Sequence, residues 1–454
     1  MRGLTDFVAF YGDAWTRIGY VQPAEMRNTF TDPPETPFHV LQDREDLLEE
    51  LCTICERIFN TRLTLDRLSR AINLRVGETG IPAPSIDHIS SEYRERLAKL
   101  PPLMEQGDGM KSLIGLLVPI VTSSHQLVIL DEPEAFLHPP QAGALGRILG
   151  EQARSKNLQV IIATHDKNLL AGVLESSADI NIVRLTRPNM GPTRAHQLPT
   201  QALRDIWQDP VLKYTNILDG LFHRLVVLAE GEADCRFYAA ALSEREEAGT
   251  TESFPASEVL FVPSGGKANL KKLTSVLKAV QVPVVASPDL DVLNNRETLK
   301  SLVKAFGGDW HRLEILYNTA VSRFRQPPDR VNIGTVLAAL KGSAEGREGE
   351  QFTAAVRREF TEQMRLKGNP WEDLKNYGTR AFRGQSAKAA EELLAALDEI
   401  GIVTVRVGEL EHFAPTLDVS KGPEWLPAAL SSGAHRGRDV QDHISRLTLR
   451  SFPE

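Results

Sequence analysis

The chain is short of cysteine, of long apolar runs and of net positive charge, and each shortage excludes something. Three cysteines in 454 residues cannot build a disulfide framework. Cys52 and Cys55 form a CxxC within LLEELCTICERIF, but the apolar spacing there is helical and no second pair completes a zinc set. They read as two buried thiols on one helix face. The longest apolar run, Leu113 to Val121, contains Gly115 and Pro119 and is far too short to cross a bilayer. The opening MRGLTDFVAF has neither the apolar core nor the small-residue cleavage site of a secretory leader. No membrane partner is expected, and a cytoplasmic location follows by default. A formal net charge of −8 argues against a generally basic nucleic-acid binder. It still leaves room for local basic patches beside acidic groups gathered around cations. Lys271-Lys272, Arg184 to Arg194 and Arg436 to Arg450 are the candidate patches.

What is present, 42% hydrophobic and 25% charged residues, is the composition of an ordinary globular protein with room for two or three domains. Residues 41–59 have the spacing of an amphipathic helix, LTLDRLSRAINLRVG alternates like two short strands, and SSEYRERLAKL reads as a helix. QLVILDEPEAFLHPPQAGALGRIL is an apolar strand, an acidic pair, a proline and a helix. NLQVIIATHDKNLL adds a second buried strand that ends in Thr-His. Two apolar strands separated by a helix indicate a parallel α/β sheet.

An apolar strand followed by Asp-Glu is the Walker B arrangement. Asp131 would help hold Mg²⁺, Glu132 would polarise the attacking water, and His165 in ATHD would be the switch residue near the γ-phosphate. A phosphate-binding loop is missing, however. GDGMKS at 107–112 ends in Lys-Ser, yet the glycines of G-x-x-x-x-G-K-[ST] would fall on Glu105 and Met110. SGGKANL at 264–270 fails too, with Phe261 and Ala268 at required positions.

These segments resemble the ABC-type ATPases, in the branch that holds the RecF and SMC proteins and the OLD (overcoming lysogenization defect) nucleases. The resemblance implies that QGDGMKSLIGLL is the signature segment preceding Walker B. Gly107, Gly109 and Ser112, at a helix N-terminus, would then face the phosphates of a nucleotide bound by a second subunit. A homodimer through this lobe is implied. Two copies would both lack the loop, so ATP can be a ligand only in a degenerate site, and hydrolysis by this chain is expected to be weak or absent. The beginning reads as though an N-terminal ATPase lobe were absent.

After a polar connection over Pro188 to Asp209, strand–helix units recur. HRLVVLAEGEADCRFYAAAL, EVLFVPSGGKANLKKLTSVLKAV and VPVVASPDLDVLNN again give a Rossmann-like parallel sheet with functional groups at the strands' carboxyl ends. Glu230 and Asp234, four apart at a strand-to-helix turn, can face one cavity; Asp289 and Asp291 project to the same side of an extended segment. Four gathered carboxylates repel unless cations neutralise them, and hard divalent ions, Mg²⁺ or Mn²⁺, are the natural partners. A long helical stretch separates this segment from GIVTVRVGELEHFAP, where the sheet resumes and Glu409 and Glu411 follow.

A Glu after the first strand and a DxD after a later one resemble the TOPRIM domain of topoisomerases, primases, RecR-type repair proteins and OLD nucleases. The resemblance implies two metal ions held by Glu230, Asp234, Asp289, Asp291 and Glu411. Lys421 would balance charge at the reacting phosphate, and Ser264, Gly266 and Lys267 would contact substrate. The expected fold class is α/β. A partial ABC-type ATPase domain over 1–200 and a connector over 201–222 precede a TOPRIM nuclease domain over 223–454, with a helical insertion at about 296–400. The combination resembles the OLD family, which implies metal-dependent cleavage of DNA, a part in phage defence or DNA processing, and a helicase or other defence partner. A topoisomerase would need a tyrosine nucleophile in a breakage domain, a setting that Tyr214, Tyr238, Tyr317 and Tyr377 lack, and a primase would need a zinc module. The non-enzymatic alternative is an SMC- or RecF-like clamp that binds DNA without cutting it.

Overall fold

The computed structural model describes residues 9–448 apart from 86–87, 123–124, 177, 188–190, 199, 209–215, 250–253, 326–332, 348, 352, 354–355, 358–359, 361–369, 418 and 420. Tyr214, part of the expected connector and the end of the basic candidate at 436–450 therefore lie outside the described residues. The chain divides into two compact units. One runs to Ile182 and includes Leu203–Trp207; the other comprises Val183–Ala202 and the chain from Gln208 onward.

The first unit runs β1 (Ala9–Gly12), α1 (Ala14–Gly19), β2 (Ala24–Glu25), α2 (Pro37–Asp43), α3 (Glu45–Phe59), β3 (Leu63–Asp66) and β4 (Ala71–Val76). It continues through α4 (Ser91–Lys99), α5 (Asp108–Thr122), β5 (Leu127–Asp131), α6 (Pro139–Ser155), β6 (Gln159–Ala163) and α7 (Lys167–Glu175). β1, β5 and β6 form a parallel sheet in the order β1-β5-β6, and β2, β4 and β3 form an antiparallel one. The core is built on α5, whose residues from Ser112 to Val121 are all buried; a helix apolar on every side has no face to give to water. The single helix expected over 41–59 is broken at Arg44, which is extended (φ −122°, ψ 90°). The second helix then restarts with Glu45 and Asp46 in its first turn, where carboxylates suit the positive end of the helix dipole. Cys52 and Cys55 are free and buried, and burial pushes both thiols above their ordinary pKa.

β7 (Ile182–Thr186) pairs with β8 (Arg194–Leu198), and α8 (Thr200–Gln208) follows. Arg184, expected in a basic patch, is spent on structure: its guanidinium donates to the carbonyls of Leu221, His223 and Gln281 at 2.8–2.9 Å. The second unit then runs β9 (Leu225–Ala229), α9 (Glu232–Glu247), β10 (Val259–Pro263), α10 (Lys267–Ala279), β11 (Val284–Ser287), α11 (Arg296–Ala305) and α12 (Trp310–Val321). α13 (Ile333–Ala344), α14 (Glu372–Tyr377), α15 (Gln385–Ile400), α16 (Trp425–Ser431) and α17 (Arg438–Thr448) complete it.

Every residue of β9 is buried, as a continuous apolar strand covered on both faces must be, and it lies parallel between β10 and β11. Ala229 stands opposite both Pro263 and Ser287, so the three strands end level. Glu230, Ser264 and Asp289 leave the sheet at one edge as a consequence. The strand expected at 401–407 pairs only through isolated parallel bridges, Ile402 to Ala286 and Val405 to Asp289. These suffice to bring Glu409 and Glu411 to the same edge.

Candidate active site

Glu230 and the DLD segment meet directly. The Asp289 amide donates to Glu230 Oε1 at 2.9 Å, and oxygens of Glu230, Asp289 and Asp291 all lie within 4.8 Å of one another. Asp234, in the first turn of α9, accepts from the Gly231 amide at 3.1 Å and so closes its own helix terminus. Asp234 and Glu411 stand outside the close set, although each is felt electrostatically: Glu411 acts on Asp234, and Asp234 on Asp289.

The electrostatics are those of a crowded acid pocket. Burial, then the neighbouring carboxylates Glu230, Asp234 and Asp291, push Asp289 up to about 8 against the opposing pull of Lys267. Glu230 is raised by burial, with Lys267 and the Asp289 amide opposing and Asp291 and Asp234 adding. Asp234 is raised by burial, opposed by the backbone amides of its cap and reinforced by Glu411. An all-oxygen donor set of mutually repelling carboxylates fits a hard divalent cation, which relieves the repulsion that the fold imposes.

Three lysines rim this pocket. Lys267, the first residue of α10, pairs with Asp291 Oδ1 and stands 4.0 Å from Glu230 Oε1. Lys421 Nζ lies 3.2 Å from Glu409 and 3.3 Å from Glu411. Partial burial opposes the Lys421 charge, but Glu411 and Glu409 outweigh it and hold the ammonium above its ordinary range. The third is Lys375 on α14, 3.2 Å from Asp291 Oδ2, and no motif in the sequence announces it. Its position is fixed by backbone contact. Gly408 (φ +114°) packs so closely that a Cβ there would lie 2.1 Å from the Lys375 carbonyl, while the Leu290 amide donates to the Gly408 carbonyl at 3.0 Å.

The remaining expected substrate contacts divide. Gly266 (φ +113°) is the N-cap of α10, and its left-handed backbone turns the chain toward Lys267. Ser264, by contrast, is buried and its hydroxyl is turned to the Gly266 carbonyl at 3.1 Å, so it shapes the turn and does not face a ligand. Behind β11, Ser287 contacts His443 Nε2 at 2.9 Å, and Arg446 donates to His443 Nδ1 at 3.1 Å. Burial, then Arg446 and Arg406, hold this ring neutral, so its proton sits on Nε2 and is donated to Ser287. That network steadies the strand end two residues before Asp289. Of the tyrosines, Tyr238 is fully buried and Tyr317 donates to the Leu293 carbonyl; neither is placed as a nucleophile, and Tyr377 is exposed.

In the first unit Asp131 is the last residue of β5, exposed at the strand's carboxyl end. Glu132 follows with a left-handed backbone (φ +44°), and His165 Nδ1 stands 3.2 Å from its carboxylate. Two further groups hold this turn, and sequence reading found neither. Fully buried Arg17 donates to the carbonyls of Glu132 at 3.0 Å and Pro133 at 2.9 Å, and Thr164 donates to buried Glu134 at 2.6 Å. The signature segment differs from expectation. Gly107 is open, but Gly109 is a packing glycine, because a Cβ there would lie 2.6 Å from the Phe136 carbonyl. Ser112 is buried within α5, so its hydroxyl does not present to a nucleotide.

Comparison with known proteins finds two matching domain families. Residues 23–171 match the AAA domain family described as a putative AbiEii toxin, Type IV TA system, and residues 221–291 match the TOPRIM domain of overcoming lysogenization defect protein-like proteins. The OLD nuclease of Thermus scotoductus (strain ATCC 700910 / SA-01) is 30% identical over 222 residues, which cover 46% of this chain and 40% of that protein. The Old nuclease of Escherichia phage P2 is 26% identical over 178 residues, 38% of this chain and 29% of its own length. The chain thus spans well under half the length of these relatives. Among solved structures, an SmcHead bound to the C-winged helix domain of ScpA gives a TM-score of 0.30 at 14% identity, covering 43% of this chain and 57% of that one. A chain from work on ATP-driven dimerization and DNA-stimulated activation of SMC ATPases gives 0.26 at 12% identity, covering 38% and 99%. Both likenesses are too slight to bear on function. An ATPase-like domain followed by an OLD-like TOPRIM domain, both α/β, is the architecture of the chain, and the resemblance to the OLD family rests on both.

Proposed function

We propose that this OLD-related chain is a divalent-cation-dependent nuclease that hydrolyses phosphodiester bonds of DNA at its TOPRIM site, with Mg²⁺ or Mn²⁺ as the cation. The observation that carries the reading is the gathering of Glu230, Asp289 and Asp291 oxygens within 4.8 Å at the level carboxyl ends of β9 and β11. Those three residues would hold one cation, with Asp234 and Glu411 as the adjoining donors toward a second. Bound cations supply Lewis-acid stabilisation of the departing 3′-oxygen and ease deprotonation of the attacking water. The lysines supply what the carboxylates cannot. Lys421, held by Glu409 and Glu411, is placed to balance charge on the reacting phosphate, and Lys267 and Lys375 offset the pocket's negative charge on the other side.

The first unit is read as a degenerate nucleotide module that pairs with a second copy, its Asp131, Glu132 and His165 offering acidic and switch groups without a phosphate loop. Phage defence or DNA processing in the cytoplasm, beside a helicase or other defence partner, is the corresponding role. Incubating supercoiled plasmid with the protein and Mg²⁺ or Mn²⁺ tests the core of this reading. Nicking by the wild type that vanishes in Asp289→Ala supports the nuclease. Plasmid binding with no nicking under either metal overturns it in favour of a clamp.

A further inference from the structure

Lys271 belongs to a basic segment that the acidic site leaves unexplained. We propose that the groove between α10 and α11 is a track for the sugar–phosphate backbone of the nucleic acid entering that site, a role that rests on the phosphodiester reading above. The groove is a cleft of about 410 Å³ lined by Lys271 and Ser275 of α10 and by Glu297, Lys300, Ser301 and Lys304 of α11. The one acidic residue in it, Glu297, is already paired with Arg296 at 2.8 Å. Among the described residues no carboxylate lies within ion-pair distance of Lys271, Lys300 or Lys304. Three ammonium groups around one cleft repel one another, and only Lys300 is felt by a carboxylate, Glu314, from beyond ion-pair distance. A polyanion neutralises all three at once, and the Ser275 hydroxyl can donate to a phosphate oxygen, while that of Ser301 is held by the Thr298 carbonyl at 2.9 Å.

The direction of the groove follows from the helix. α10 begins at Lys267, which is bound to Asp291 at the acidic pocket. Lys271 is four residues further along the same face, and Ser275 four beyond that, each turn advancing about 5.4 Å. A strand whose scissile phosphate lies at the carboxylates therefore meets the groove with its flanking phosphates. Contacts of this kind read charge and spacing, so the track is indifferent to base sequence.

The test is a triple variant, Lys271→Gln, Lys300→Gln and Lys304→Gln, in the full chain, with a thermal melt to establish that the fold is kept. Affinity for a short duplex is measured in EDTA across a salt series, and hydrolysis of bis(p-nitrophenyl) phosphate is measured in Mn²⁺. The track requires the slope of log K against log salt to become shallower by about 0.9 per lost contact, up to about 2.7 in all. It also requires the small diester, too short to reach the groove, to be hydrolysed as by the wild type. An unchanged salt slope, a wild type that does not bind duplex, or equal loss of diester hydrolysis overturns it. If the slope falls but the wild type hydrolyses neither the diester nor plasmid in Mn²⁺, the nuclease reading fails and the groove stands as a nucleic-acid contact alone.

Discussion

Asp289→Asn removes one charge from the acidic pocket while keeping the side chain's shape, and the consequence for stability can be worked out. The Asp289 carboxyl is pushed up to about 8 by burial and by Glu230, Asp234 and Asp291, against about 3.9 in an unfolded chain. Between those values the folded protein holds a proton that the unfolded chain has released. The group's contribution to stability is therefore fully present below about pH 4 and is lost as the pH rises through about 8. One such group changes stability by about 1.4 kcal/mol per pH unit, or about 2.7 kcal/mol between pH 5 and pH 7. Because Glu230 and Asp234 share the titration, the expected difference is about 1–3 kcal/mol. Urea unfolding of metal-free wild type and Asp289→Asn in chelator, at steps from pH 5 to pH 8.5, reads the contribution of Asp289 and its coupled neighbours, because groups remote from the pocket cancel in the comparison. The variant should gain on the wild type as the pH rises, with the gain levelling off above pH 8. Mg²⁺ should stabilise the wild type more than the variant. Parallel pH profiles for the two proteins would refute the claim that the fold forces these carboxylates together.

Two further outcomes follow from the first unit. Steady-state phosphate release from ATP should stay at the level of a protein-free control; robust release abolished by Glu132→Gln would show that a complete nucleotide site exists. Gly109→Ala should destabilise by about 1–3 kcal/mol, because the new methyl meets the Phe136 carbonyl at 2.6 Å and the backbone there is already left-handed (φ +71°). An unchanged melting midpoint would instead free Gly109 for a phosphate-binding role.

The strands that carry both sites are legible because they are short apolar runs ending in acid: LVILD and LVVLAE show where β5 and β9 stop and what stands at their ends. The convergence of Glu230 with Asp289 was equally readable, since parallel strands joined by helices must end on one side. What could not be read depends on packing. Ser112 looks like the serine of a signature segment, yet it sits on a helix that is apolar all round, so its place is set by the core. Gly109 looks like a glycine of the signature segment, and only the Phe136 carbonyl shows why it lacks a side chain. Arg17 is an ordinary arginine in sequence; its function is to satisfy two carbonyls in a strained turn more than a hundred residues away.

Lys375 shows most clearly how the helical insertion takes part in the site. α14 is only six residues long and could not hold a lysine in place by its own propensity. It is fixed because Leu374 is fully buried and because two left-handed glycines, Gly378 and Gly408, let its backbone touch the segment that leads to Glu409 and Glu411. The same segment bonds through Gly408 to Leu290, inside the DLD sequence. One set of backbone contacts thus couples the insertion, the DxD turn and the last pair of carboxylates. Moving α14 would displace a cation from Asp291 and shift the Glu411 loop together. The insertion is for this reason better regarded as a wall of the acidic pocket than as an appendage to the sheet, and the lysine it contributes pairs with Asp291 at the pocket's rim.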